Sequence, residues 1–167
     1  MIAKRSKTSG VKAKNDKKSL IIFWITIPTS ITLAFFNAKY ANWDTINYYL
    51  MLSGLAIFGL GVLIRWISIL QLKKDFTVDV AINKTHKLKE TGMYKFIRHP
   101  SYLGLFLIVL GLSIAMNTLI SLFVLSIPVF LAIVYRIKIE EQILISEFGN
   151  NYKEYMKRTK KIIPFIF

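Results

Sequence analysis

Residues 102–135 read YLGLFLIVLGLSIAMNTLISLFVLSIPVFLAIVY, 34 consecutive positions without a charged side chain. The run is too long for one membrane crossing, and Asn117-Thr118 interrupts it near the middle, so it reads as a helical hairpin in a bilayer. The first arm, 102–116, is about 22 Å of helix and short for a full span, whereas the second, 119–135, contains Pro128 and is expected to kink there. Upstream, residues 20–38 hold no charge over about 28 Å of helix and read as a first span. A cleavable signal peptide is a poor match, because the preceding arm is long, Pro28 breaks the run and further apolar spans follow. Residues 48–72 form another span with a single charge, Arg65, and with Ser53, Gly54, Gly59 and Gly61 available for close helix contact.

The whole composition agrees with this reading. Of 167 residues, 54% are apolar, and the mean hydropathy is +0.46. A soluble core of this length does not need so much apolar surface. The net charge of +14 would point to nucleic acid in a polar chain, but beside these spans it points to an anionic membrane surface and away from nucleic acid. The absence of cysteine excludes disulfides, thiolate nucleophiles and cysteine-held metals, and two histidines leave little for any metal site.

The basic residues also orient the chain. Seven of the 23 lie in 1–19, seven in 73–98 and seven from Arg136 onward, against one between 37 and 47, one inside the second span and none at the hairpin turn. The positive-inside rule then places both termini and the 73–98 loop in the cytoplasm, which four crossings satisfy. The expected architecture is all-α and polytopic: four transmembrane helices including the C-terminal hairpin, plus cytoplasmic amphipathic helices. Its divisions are a basic arm at 1–19, two spans within 20–72, and a unit at 73–167 that holds the loop, the hairpin and the tail.

Polar residues able to do chemistry gather beside the hairpin. Arg98-His99-Pro100-Ser101-Tyr102 precedes it, with Pro100 suited to a first helical position, and the plain reading of Arg98, His99 and Tyr102 is an anchor at the membrane boundary. After the hairpin, Arg136 and Glu140 are four residues apart, on one face of a continuing helix. Gly149 then breaks that helix, and an amphipathic helix follows with Tyr152, Tyr155 and Met156 on its apolar side. Gly92 reads as a turn or helix stop. Arg65, about two turns inside its span, must snorkel or find a partner, whether structural or a ligand.

The ordered series Phe76-Thr77, His86-Lys87-Leu88, Gly92-Met93-Tyr94, Arg98 to Gly104, the hairpin, Arg136 to Glu141, Phe148-Gly149, Tyr152, Tyr155 and Ile163-Pro164 resembles the isoprenylcysteine carboxyl methyltransferase family of integral-membrane enzymes. The likeness runs from about Arg65 to Pro164. It implies that His86, Lys87, Leu88, Lys89, Tyr94, His99, Pro100, Ser101 and Tyr102 contact S-adenosyl-L-methionine, that Glu140 closes the cofactor site from the other side of the hairpin, and that Arg136 faces the substrate. Where family members commonly place a glutamine shortly after Phe76-Thr77, this chain has Val80-Ala81-Ile82. Eukaryotic members have additional N-terminal helices without a counterpart here, so the resemblance does not extend to a prenyl-protein substrate.

The residue types suit that chemistry. Methyl transfer from a sulfonium is an in-line displacement, which asks for two reactants held collinear away from water and for neither metal nor protein nucleophile. Tyr94 and Tyr102 offer aromatic faces to a sulfonium, Glu140 can accept from ammonium or hydroxyl groups, and Arg136 can orient a carboxylate with its planar fork. A dinucleotide-binding fold is excluded because Gly59-Leu60-Gly61 lies inside an apolar helix with no strands around it. Three functions follow from the sequence: O-methylation of the carboxylate of an apolar or lipidated acceptor taken from the lipid bilayer, N-methylation of a phospholipid amine, and a non-catalytic membrane adaptor or small transporter. An amine acceptor would need a general base such as Glu141 or a tyrosinate.

Overall fold

The computed structural model describes residues 3–40, 47–72 and 88–162, with side chains from Lys17 onward. Five α-helices account for most of them: α1 (Ala3–Tyr40), α2 (Tyr48–Leu72), α3 (Pro100–Ala115), α4 (Leu119–Phe148) and α5 (Asn150–Arg158), with a 3-10 turn at Gly92–Lys95. Among the described residues the one β feature is an isolated parallel bridge between Ile97 and Lys160. Three stretches are long and apolar enough to cross a membrane, Lys17–Tyr40, Tyr48–Leu72 and Leu119–Phe148, while Pro100–Ala115 is apolar but shorter. Exposed Trp24, Leu33, Leu63, Trp66, Phe123 and Leu131 clothe the outside of these helices, as lipid-facing surfaces require.

Glycine decides how α2 meets α3. Gly54 and Gly61 on α2 lie seven residues apart, as do Gly104 and Gly111 on α3, and the two helices run antiparallel so that Gly61 faces Gly104 and Gly54 faces Gly111. A Cβ on Gly61 would stand 2.6 Å from the Ile108 nitrogen and 2.7 Å from the Gly104 carbonyl oxygen, so the backbones touch and no side chain fits between them. Gly59 and Ser53, which the sequence grouped with these contacts, take no part in them. Gly59 faces open space, and exposed Ser53 bonds to its own helix at the Leu50 carbonyl. Arg65 finds its partner in the same seam, donating from Nη1 to the Ser101 carbonyl at 3.2 Å and to Ser101 Oγ at 3.3 Å.

The hairpin turns where Asn117 adopts a left-handed φ of 60°, which asparagine tolerates well. Thr118 caps α4 by accepting from the Ser121 N–H at 3.1 Å. The first arm begins at Pro100, two residues earlier than its apolar run, because proline's fixed φ serves the first helical position. The second arm continues as helix through Pro128 and beyond the membrane-length run to Phe148, so Arg136, Glu140 and Glu141 stand on one continuous helix. Helix α1 likewise runs unbroken from the basic arm into the first span. The buried core lies between α1, α3 and α4, with Ala34, Val109, Leu125, Val129, Ile133 and Ile137 at its centre and Ile162 of the tail closing one end.

Candidate functional site

Polar side chains concentrate where the N-terminal end of α3 meets the middle of α4. Tyr102 Oη donates to Glu140 Oε2 at 3.0 Å and accepts from Arg136 Nε at 3.4 Å. The i,i+4 pair that the sequence placed on one helix face is therefore linked through a tyrosine hydroxyl from the neighbouring helix. Arg136 is 2% exposed and also donates from Nη1 to Ser19 Oγ on α1 at 2.6 Å. The His99 ring lies tilted beside Tyr102, 5.8 Å between centroids, and Phe23 of α1 stands edge-on to Tyr102 at 6.2 Å.

A second cluster sits beside the first, where Arg98, just before the start of α3, meets Glu141 on α4. Arg98 Nε donates to Glu141 Oε1 at 2.8 Å, while its Nη1 donates to the carbonyls of Met156, at 3.2 Å, and Thr159. Arg98 and Glu141 are 8% and 6% exposed, so this is a buried ion pair and not the boundary anchor that the sequence suggested for Arg98, His99 and Tyr102. Buried pairing makes sense of the fold here: one guanidinium joins the start of α3, the rod of α4 and the tail after α5. Backbone bonds follow it, with the Arg98 and His99 N–H groups donating to the carbonyls of Lys160 and Lys161 at 2.8 and 3.0 Å. His99 Nε2 lies 3.5 Å from Glu141 Oε1 without hydrogen-bond alignment, so this buried nitrogen has hydrogen-bonding capacity left.

Tyr94 belongs to the 3-10 turn, which α2 holds in place. Gln71 Oε1 accepts from the Met93 N–H at 2.9 Å, and Gly92, at φ 66°, lies so close to the Gln71 carboxamide that a Cβ would strike it. Tyr94 Oη donates to the Ser68 carbonyl at 3.3 Å, and Tyr155 Oη donates to the Tyr94 carbonyl at 2.7 Å. Burial, assisted by the charge of Glu140, pushes the Tyr94 hydroxyl well above its ordinary range, and burial does the same for Tyr155 and Tyr152. These three hydroxyls stay protonated throughout the neutral range.

The chain matches the model of the isoprenylcysteine carboxyl methyltransferase (ICMT) family over residues 53–146, more than half its length. The chain belongs to the isoprenylcysteine carboxyl methyltransferase family. It is 34% identical over 116 residues to the protein-S-isoprenylcysteine O-methyltransferase of Schizosaccharomyces pombe, a stretch covering 68% of this chain and 49% of that protein. With protein-S-isoprenylcysteine O-methyltransferase B of Arabidopsis thaliana it shares 30% identity over 136 residues, 80% of this chain and 66% of the plant protein. The solved structure of the eukaryotic intramembrane Ras methyltransferase ICMT matches with a TM-score of 0.66 at 29% identity, covering 96% of this chain and 53% of that one. The chain thus spans about half the length of the yeast relative and of the solved structure. Membership in an ICMT family of membrane proteins, with several apolar helices, makes it an integral multi-pass membrane protein.

Among the residues that the ICMT resemblance singled out, His99, Tyr102, Glu140 and Arg136 come together across α3 and α4. Pro100 is buried at the start of α3, and Ser101 is turned toward Arg65. Leu88 and Lys89 are half-buried in irregular chain before the 3-10 turn, while His86, Lys87 and Val80 to Ile82 lie outside the described residues. Among the described residues, no group of three or more His, Cys, Asp or Glu could hold a metal ion. Sequence reasoning missed the Arg98–Glu141 pair and Ser19. Each of the pair flanks a named site residue, but 43 positions separate them and no local period couples one to the other.

Proposed function

We propose that this chain transfers a methyl group from S-adenosyl-L-methionine to the carboxylate of an apolar or lipidated acceptor of the isoprenylcysteine type, at the cytoplasmic face of the membrane. The observation that supports this most is the Arg136–Tyr102–Glu140 cluster, built on a buried arginine at one end of an apolar bundle, in a member of this family. The residues present fit the cofactor: His99 Nε2 is buried with hydrogen-bonding capacity left, Glu140 offers a half-buried carboxylate, and Tyr102 offers an aromatic face between them. Bound there, S-adenosyl-L-methionine supplies an electrophilic methyl group on a positively charged sulfur. We assign its binding to His86, Lys87, Leu88, Lys89, Tyr94, His99, Pro100, Ser101, Tyr102 and Glu140.

The chain's own contribution is orientation. Arg136 would receive the acceptor carboxylate and limit its rotation, holding one oxygen ready for the methyl group that the cofactor would supply. Tyr102 fixes both Arg136 and Glu140, which aligns the acceptor side with the cofactor side. Core side chains around the cluster keep water out. N-methylation of a lipid amine is less well served, because Glu141 is bound to Arg98 and the buried tyrosines are held protonated, which leaves no base among them to take the amine proton.

The topology belongs to the same reading. Four crossings, with α3 as the short one at about 24 Å, return both termini to the cytoplasm and set the cluster near the cytoplasmic boundary. Calorimetry with S-adenosyl-L-methionine on the detergent-solubilised protein is expected to give micromolar binding. No binding at millimolar cofactor would favour the adaptor or transporter reading.

A further inference from the structure

Helix α1 packs along α4, and its two ends are held differently. Toward the C-terminal end, Ser121 Oγ donates to the Ala34 carbonyl at 2.9 Å and Thr118 Oγ1 donates to Asn37 Oδ1 at 3.3 Å, around a fully buried Ala34. At the other end of the span, contact is made with the site itself. Ser19 Oγ, 1% exposed, accepts from Arg136 Nη1, and Phe23, one turn later on the same face, lies edge-on to Tyr102. Pro28 separates these two ends. It has no N–H for the Trp24 carbonyl and its ring crowds that carbonyl, so α1 lacks a rung there and bends most easily at that point.

We propose that the acceptor binds between α1 and α4, its carboxylate taking the place of the Ser19 hydroxyl on Arg136, and that the N-terminal half of the α1 span swings about Pro28 to admit the apolar tail from the bilayer. This rests on the reading of Arg136 as the carboxylate-binding residue. A hydroxyl oxygen 2.6 Å from a buried guanidinium occupies a position that one carboxylate oxygen would take, and a carboxylate makes the stronger, charge-assisted bond. The seam beside it is lined by half-buried Phe23, Ile27 and Ile31, so a lipid tail entering there replaces apolar contacts with apolar contacts. Exposed Trp24 and Ile25 put the outer face of the same turns against lipid, which yields when the helix moves. Ser19 and Phe23 thereby become determinants of which acceptors enter.

The chain has no cysteine, so a pair of introduced cysteines makes a single defined staple. The register set by the Ser121–Ala34 and Arg136–Ser19 bonds puts Phe23 opposite Ala132, and the double variant Phe23→Cys with Ala132→Cys locks the movable half of α1 when oxidised. Carboxyl methylation of a prenylcysteine is expected to fall about tenfold or more from the reduced to the oxidised form of this variant, with S-adenosyl-L-methionine affinity unchanged and dithiothreitol restoring turnover. Equal turnover in the two forms would overturn the proposal, and so would loss of cofactor binding together with turnover. Independently, Ser19→Asp holds a carboxylate on Arg136 and is expected to raise the acceptor KM about tenfold at unchanged cofactor affinity; an unchanged KM would also overturn it. Wild-type protein assayed alongside separates the two levels: no methylation of the prenylcysteine by wild type would count against the assigned reaction and not against the door.

Discussion

At Tyr102 a single hydroxyl joins the residue assigned to the acceptor with the one assigned to the cofactor, so substitutions around it are expected to separate two effects. Glu140→Gln and His99→Ala should weaken S-adenosyl-L-methionine binding by about 1–3 kcal/mol each while the protein remains folded, read by calorimetry. Tyr94→Phe should be milder, since it keeps the ring and loses one 3.3 Å bond to Ser68. Arg136→Lys keeps the charge but loses the planar fork, and is expected to cost about 1–3 kcal/mol in kcat/KM with cofactor affinity little changed. The buried pair one position away behaves differently. Glu141→Gln leaves the Arg98 charge buried without its counter-ion and should destabilise the fold by about 3–5 kcal/mol, whereas Arg98→Met with Glu141→Leu should cost less than that single change, as thermal unfolding in detergent would measure. At this scale the sequence was legible where residue types named their chemistry, as at Glu140 and Arg136. It was silent where chemistry depends on a distant partner: nothing local to Arg98 points to Glu141, nor to Thr159 beyond it.

The elements were easier to read, because apolar runs longer than a membrane is thick leave few alternatives to helix. The hairpin, its turn at Asn117 and the break at Gly149 all stand where the charges and turn residues put them. What periodicity could not rank was which small residues of α2 touch α3. Gly54 and Gly61 share a face by their spacing of seven, and that face is the one α3 covers, while Gly59 points away. Gly61→Leu should therefore separate α2 from α3 and abolish recovery of folded protein by size-exclusion chromatography. Gly59→Ala should leave the fold intact, or stabilise it by up to about 1 kcal/mol, since alanine is the better helix former where nothing crowds the new methyl. Because Arg65 reaches Ser101 through the same seam, the α2–α3 contact also sets how the start of α3 is presented to the site.

Across the whole molecule, three basic segments alternate with apolar spans, and the proposed topology follows from that alternation. Single cysteines introduced at exposed Lys157 on α5 and at Asn117 in the hairpin turn should react with a membrane-impermeant label from opposite sides, Asn117 alone being reached in intact cells. Such a topology sets the cluster at the cytoplasmic boundary, where an acceptor can keep its tail in lipid while its head group meets a water-soluble cofactor. The bond that is made separates the two methylation readings. The most direct test supplies the purified protein with methyl-labelled S-adenosyl-L-methionine together with a prenylcysteine bearing a free carboxylate and with phosphatidylethanolamine, and follows the label through mild base. Label is expected on the prenylcysteine, released by base as methanol from a methyl ester and lost in Arg136→Ala; base-stable label on the phospholipid amine, or turnover of the prenylcysteine undiminished in Arg136→Ala, would contradict carboxyl methylation directed by Arg136.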